Sequence, residues 1–156
     1  SVEVIGKIGV IVSVCGSDEV RKGSDATLMD HLSDLIDDAP SGGFVFANFV
    51  EFDSLFGHRR DVSGYARHLE WFDAALGALL SKLRAGDLLC VTADHGNDPT
   101  WIGTDHTRER VPVLIHGSDI NRQGPRNLGH VEFVDVAATI AAYLGVAPRG
   151  QGKNFL

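Results

Sequence analysis

Phe44-Val45-Phe46-Ala47-Asn48-Phe49-Val50-Glu51-Phe52-Asp53-Ser54-Leu55-Phe56-Gly57-His58-Arg59-Arg60-Asp61 is the stretch from which the fold can be read. Its first half is almost unbroken in its apolar character and predicts a strand over 44–52, buried on both faces. Its second half turns polar where that strand should end. After it the period changes: Val62, Tyr65, Leu69, Phe72, Leu76, Leu79, Leu80 and Leu83 recur at helical spacing and predict an amphipathic helix over 62–83. Working outward, the pattern predicts a strand within 2–14 and a helix over 25–37. Ser24 is the expected N-cap of that helix, Leu28, Leu32, Leu35 and Ile36 its apolar face, and Pro40 its stop. Strands are expected at 88–93 and 111–115, a surface loop at 117–129, and a last helix over 131–144 capped by Gly145. Strands alternating with helices define an α/β fold, layered α/β/α with a mainly parallel sheet. In such folds ligands bind beyond the carboxyl ends of the strands, where Asp53 and Asp94 fall.

Composition narrows the classes of function. The chain has 156 residues, 44% of them hydrophobic, enough for a substantial core. Its net charge of −7, with basic residues in ones and twos, opposes a nucleic-acid footprint. The early apolar run from Ile8 to Cys15 is too short to span a bilayer and carries no targeting pattern, so no membrane is expected. Cys15 and Cys90 read as buried thiols of a reducing cytoplasm. The chain opens on Ser1 and enters a β-rich stretch almost at once, which suggests part of a longer protein.

Asp53, His58, Asp94, His95 and His106 carry the chemistry. Two divalent ions roughly 3.5–4 Å apart can hold the attacking and leaving oxygens of a transferring phosphoryl group. Carboxylates supply charge and imidazoles supply borderline nitrogen donors, a mixture suited to Mn, Zn or Fe, and three histidines argue against a pure magnesium site. Each fragment alone reads equally as polar turn residues after a strand. The three segments in this order point instead to metal-assisted phosphoryl chemistry.

The stretch from Asn48 to Tyr65, the Thr92-Ala93-Asp94-His95-Gly96 element, Asp98-Pro99-Thr100-Trp101 and Gly103-Thr104-Asp105-His106-Thr107-Arg108-Glu109 together resemble the phosphopentomutases of the alkaline phosphatase superfamily. So does the closing Gly152-Lys153-Asn154-Phe155-Leu156. The resemblance is strongest from Phe44 onward, and Glu51 stands where an aspartate is more familiar. Related cofactor-independent phosphoglycerate mutases share the Ala-Asp-His-Gly element but not the Gly57-His58-Arg59-Arg60-Asp61 string or the one from Trp101 to Glu109. The resemblance implies an alkaline phosphatase-like core, of which residues 1–156 are the carboxyl-terminal half. It also implies one manganese on Asp53, His58 and His106 and another on Asp94 and His95. A threonine that carries the phosphoryl group, a further aspartate and a cap domain are expected outside this chain, since Thr27, Thr92, Thr104 and Thr107 lack the nucleophile's context. The implied activity interconverts the 1- and 5-phosphates of ribose or deoxyribose through a phosphothreonine, primed by a bisphosphorylated sugar. By the same resemblance Lys7, in Gly6-Lys7-Ile8-Gly9, helps hold the sugar phosphate. Partners are then the pentose phosphate and the amino-terminal half of the core. Without that half the fragment is expected to be inactive. The rivals are a phosphatase or phosphoglycerate mutase of the same superfamily, and a metal-binding module without turnover.

Other residues carry plainer expectations. His31 and His68 should face solvent, and Trp101 should pack its loop. The Asp34, Asp37 and Asp38 cluster should be a solvated helix face. His116 and His130 flank a loop that could support the site. Arg59 and Arg60 either orient phosphate or pair with Asp61, with structural pairing expected for at least one.

Overall fold

A computed structural model describes residues 2–6, 19–120, 124–147 and 149–156. Lys7 and Cys15 lie outside the described residues. The chain divides into two compact units, one of Ser1–Arg84 with Leu89–Ile115 and the other of Ala85–Leu88 with His116–Leu156.

In the first unit, β1 (Val2–Gly6) runs parallel to both β2 (Glu19–Arg21) and β3 (Phe44–Asn48), giving the order β2-β1-β3. Val2 pairs with Phe44 and Gly6 with Asn48. The parallel sheet and the alternation of strand and helix agree with the α/β class read from the sequence. Strand β2 was not expected, because three residues are too few to show a period. Helix α1 (Asp25–Asp38) begins as expected at Ser24, whose Oγ accepts from the Thr27 amide at 3.3 Å. It packs on β1 and β3, and Leu28 and Leu35 meet Val45, Ala47 and Phe49.

The expectation that the 44–52 run is a strand buried on both faces needs correcting. The strand ends at Asn48, and Phe46, on the face opposite Val45 and Ala47, is 38% exposed. The rest of the apolar run enters a π-helical segment, Phe52–Gly57, in which the His58 amide donates to the Asp53 carbonyl at 2.9 Å. Such i→i+5 turns are rare and recur at functional sites. Here the turn stacks His58 directly beyond Asp53.

Helix α2 (Val62–Leu80) follows, with Asp61 accepting from the Gly64 amide at 2.8 Å as its cap. Its packed face is Trp71, Phe72, Ala75, Leu76 and Leu79 against Met29, Ile36 and Phe49. Val62 and Leu69, counted in the expected stripe, are 47% and 49% exposed. His68 lies inward instead, correcting its expected exposure: its side chain is 11% exposed. The amino-terminal half of the buried face is therefore rotated by about one residue from the apolar pattern. Aromatic rings and a hydrogen-bond partner for the imidazole hold it there. Strands β4 (Leu89–Thr92) and β5 (Val113–His116) pair as a second sheet. The Cys90 thiol in β4 is half-buried, and that burial pushes its pKa up.

In the second unit, α3 (Phe133–Tyr143) opens with a reciprocal cap between Glu132 and Asp135, and Gly145 (φ +67°) ends it as expected. The closing residues lie along this helix. Thr139, 1% exposed, accepts from the Phe155 amide at 3.2 Å, and Asp135 accepts from the Lys153 amide at 2.8 Å. Gly152 is required by close approach, since a Cβ there would stand 1.9 Å from the Val134 carbonyl oxygen.

Candidate metal centre

Asp53 is presented by the π-helical segment, His58 by its end, Asp94 and His95 by the turn after β4, and His106 by the loop that leads to β5. All five belong to the first unit. The Nε2 atoms of His58 and His106 lie 3.4 and 3.2 Å from Asp53 Oδ1. One donor atom from each of these three residues falls within 4.8 Å of the other two. Ligands held about 2.0–2.2 Å from one divalent ion stand roughly 3.0–3.4 Å apart, so this donor set fits such an ion. His106 also stacks on His95, ring centroids 3.7 Å apart, and lies 4.8 Å from the His58 ring. His95 Nε2 stands 3.7 Å from Asp94 Oδ1. The expected residues are thus brought together, with Asp53 bridging His58 and His106, the His106 ring stacked on His95, and Asp94 beside His95.

The tautomers suit that arrangement. A carbonyl oxygen only accepts, so His58 Nδ1 donates to Thr104 O and His95 Nδ1 to Gly96 O, the latter at 3.3 Å. In its neutral form each ring then has Nε2 as the lone-pair nitrogen, oriented by a backbone partner.

Arg60 resolves the choice left open between phosphate and Asp61. Its guanidinium donates to the carbonyls of Gly57, Asp98, Gly103 and Asp105 and to Asn97 Oδ1, at 2.5 to 3.0 Å. Its protein acceptors are these loop groups and not Asp61, which caps α2. The planar fork of donors ties the three segments that carry the candidate ligands into one unit, at a backbone φ of +55°. Asn97 continues the chain of bonds, donating to Asp53 Oδ1 at 2.6 Å. A single antiparallel bridge between Gly96 and Thr107 closes the loop. A Cβ at Gly96 would meet Glu109 Oε2 at 2.4 Å and Thr107 O at 2.8 Å.

Several of these partners were not legible beforehand. Asn97 and Thr104 act through an amide and a carbonyl that any loop could carry, and Tyr65 read only as part of an apolar stripe. Burial raises the Tyr65 phenol's pKa, and the charges of Asp53 and Asp98 raise it further. Trp101 does not pack its loop: it is 60% exposed, with Ile102 beside it at 88%. Asp34, Asp37 and Asp38 are exposed as expected.

A parallel α/β core that gathers imidazoles and carboxylates beyond its strands is a metalloenzyme's arrangement. The Metalloenzyme superfamily profile matches residues 7–148, and the chain belongs to that superfamily. More particularly, it is 50% identical over 159 residues to the phosphopentomutase of Chromohalobacter salexigens, covering 97% of this chain and 37% of that protein. It is 52% identical to the phosphopentomutase of a Chelativorans species over 155 residues and 47% identical to that of Vibrio cholerae over 154, with the same shares of each chain covered. The chain therefore spans 37% of the length of these curated relatives. Among the described residues no helix is long and apolar enough to cross a membrane.

Proposed function

We propose that this chain supplies the divalent-metal ligands of a phosphopentomutase, an isomerase that moves phosphate between the 1- and 5-hydroxyls of ribose or deoxyribose. One observation carries the reading: Asp53 Oδ1 stands 3.2 and 3.4 Å from two imidazole nitrogens, one of whose rings stacks on His95. The 47–52% identity to phosphopentomutases supports the choice of substrate class. Asp53, His58 and His106 hold one ion, and Asp94 and His95 contribute to a second; the mixed donors suit Mn, Zn or Fe, and manganese is the choice that the likeness to phosphopentomutases supports. When bound, the ions would neutralise charge on the phosphoryl oxygens and on the alkoxide that attacks the phosphorus.

The chain's own residues do the rest by position. Arg60 and Asn97 fix the Asp53 carboxylate, and the Thr104 and Gly96 carbonyls fix the His58 and His95 rings. Lys7 takes the distal phosphate as a point charge. The phosphate-carrying threonine and the remaining aspartate come from the part of the protein this sequence does not include. A bisphosphorylated sugar primes the cycle. The isolated chain then binds metal without turning over substrate.

The test is a manganese titration of the chain, followed by assays of the chain alone and joined to the rest of its protein. The substrates are ribose 5-phosphate, phosphoglycerate and an aryl phosphate. Metal binding by the chain, with mutase activity on the pentose phosphate only in the joined protein, is the expected result. Turnover confined to phosphoglycerate or the aryl phosphate would replace this reading with another activity of the superfamily.

A further inference from the structure

Asp25 is the first residue of α1 and is 1% exposed, yet the side-chain cap of that helix is Ser24. Burying a carboxylate costs several kcal/mol unless hydrogen bonds replace water. Here they come from far along the chain. Oδ1 accepts from the Val50 amide at 3.0 Å, and Oδ2 accepts from the Glu51 amide at 3.2 Å and from His68 Nε2 at 2.9 Å. The opposite side of Val50 carries the next link, because its carbonyl accepts from the Asp53 amide at 3.1 Å and the Ser54 amide at 2.9 Å. Val50 is thus held at its amide by Asp25 and at its carbonyl by the residue expected to bind metal.

His68 reinforces the same segment from α2. Its ring lies edge-on to Phe52 (4.5 Å) and against Phe56 (5.0 Å), residues on either side of Asp53, and is stacked on Trp71 at 4.8 Å. With Glu51, Asp25 and His68 form a second group whose donor atoms lie within 4.8 Å of one another. Both Asp25 oxygens already accept protein N–H groups and His68 Nε2 is turned onto one of them. This geometry suits a hydrogen-bonded pair better than a second cation site.

We infer that Asp25 and His68 are positioning residues for the metal centre: together they set the backbone of Val50 and Glu51 from which Asp53 is presented. The inference rests on the metal reading of Asp53, His58 and His106. Partners bonded directly to a ligand typically change metal affinity by roughly 10–100-fold when removed, and Asp25, one link further back through Val50, sets the lower part of that range as the expectation. Asp25→Asn, His68→Leu and His68→Gln, made in this chain and in the whole protein that carries it, test it. Two readouts apply to the folded metal-free protein: the manganese dissociation constant by calorimetry, and the exchange protection of the Glu51 amide.

Asp25→Asn and His68→Leu should weaken manganese binding by roughly tenfold, the lower end of the range for direct partners, and expose the Glu51 amide to exchange. His68→Gln keeps an N–H for Asp25 and should stay close to wild type. Leu28→Ala should lower stability without changing the dissociation constant. Should Asp25→Asn fail to fold, the two His68 variants decide. Unchanged affinity in His68→Leu, with binding abolished by Asp53→Ala, overturns the positioning role and leaves the metal reading intact. A wild-type protein that binds no manganese overturns both.

Discussion

Arg60 organises this site without touching its chemistry. Hydrogen bonds to a charged group contribute about 1.5–3 kcal/mol each in favourable settings, and Arg60 makes them to four carbonyls and the Asn97 amide oxygen. Lysine has one nitrogen and cannot span those acceptors. Arg60→Lys should therefore cost about 2–4 kcal/mol in urea unfolding. It should also weaken manganese binding by roughly tenfold or more, because Asn97 would lose the bond that aims its amide at Asp53. An unchanged metal dissociation constant would show that Asn97 holds its orientation unaided.

Helix α3 and the closing segment make a separate case, in which one carboxylate and one glycine join two pieces of chain. The Glu132 amide, and then the Lys153 amide, hold the Asp135 carboxyl below the usual value of 3.8. A depressed value means the charged form is favoured by folding. The stabilisation is therefore complete above the ordinary value and is lost as the pH falls through the lower one. Asp135→Asn should flatten the acid limb of the unit's thermal unfolding curve below about pH 4. A curve as steep as wild type would place the titration elsewhere. Gly152→Ala forces a Cβ toward the Val134 carbonyl and should cost about 1–3 kcal/mol, with the Lys153 amide losing exchange protection. An unchanged melting temperature would mean that the closing segment moves aside at no cost.

For the molecule as a whole, metal binding at the proposed centre would be linked to stability, because its candidate ligands come from segments far apart in sequence that an unfolded chain does not gather. Manganese at one hundred times its dissociation constant should raise the unfolding free energy by about 2.7 kcal/mol. A chelator should reverse the gain, and Asp53→Ala should abolish it. A melting temperature indifferent to manganese in the wild-type chain would count against the proposed centre.

Much of this protein is legible in one dimension. Its helices begin and end within three residues of where Ser24, the apolar spacing and Gly145 put them, since caps and periodicity are local. The order of strand and helix gives the α/β class for the same reason. The identities of Asp53, His58, Asp94, His95 and His106 are local too. Their convergence is not: it depends on an i→i+5 turn hidden in an apolar run, and on an arginine whose acceptors are mostly backbone carbonyls without sequence signature. His68 shows the difference most plainly. Its position relative to the apolar stripe sends it to solvent, while the buried Asp25 and the rings of Phe52, Phe56 and Trp71 draw it inside. Which neighbour meets a polar group decides whether it can be buried, and only tertiary packing supplies the neighbour.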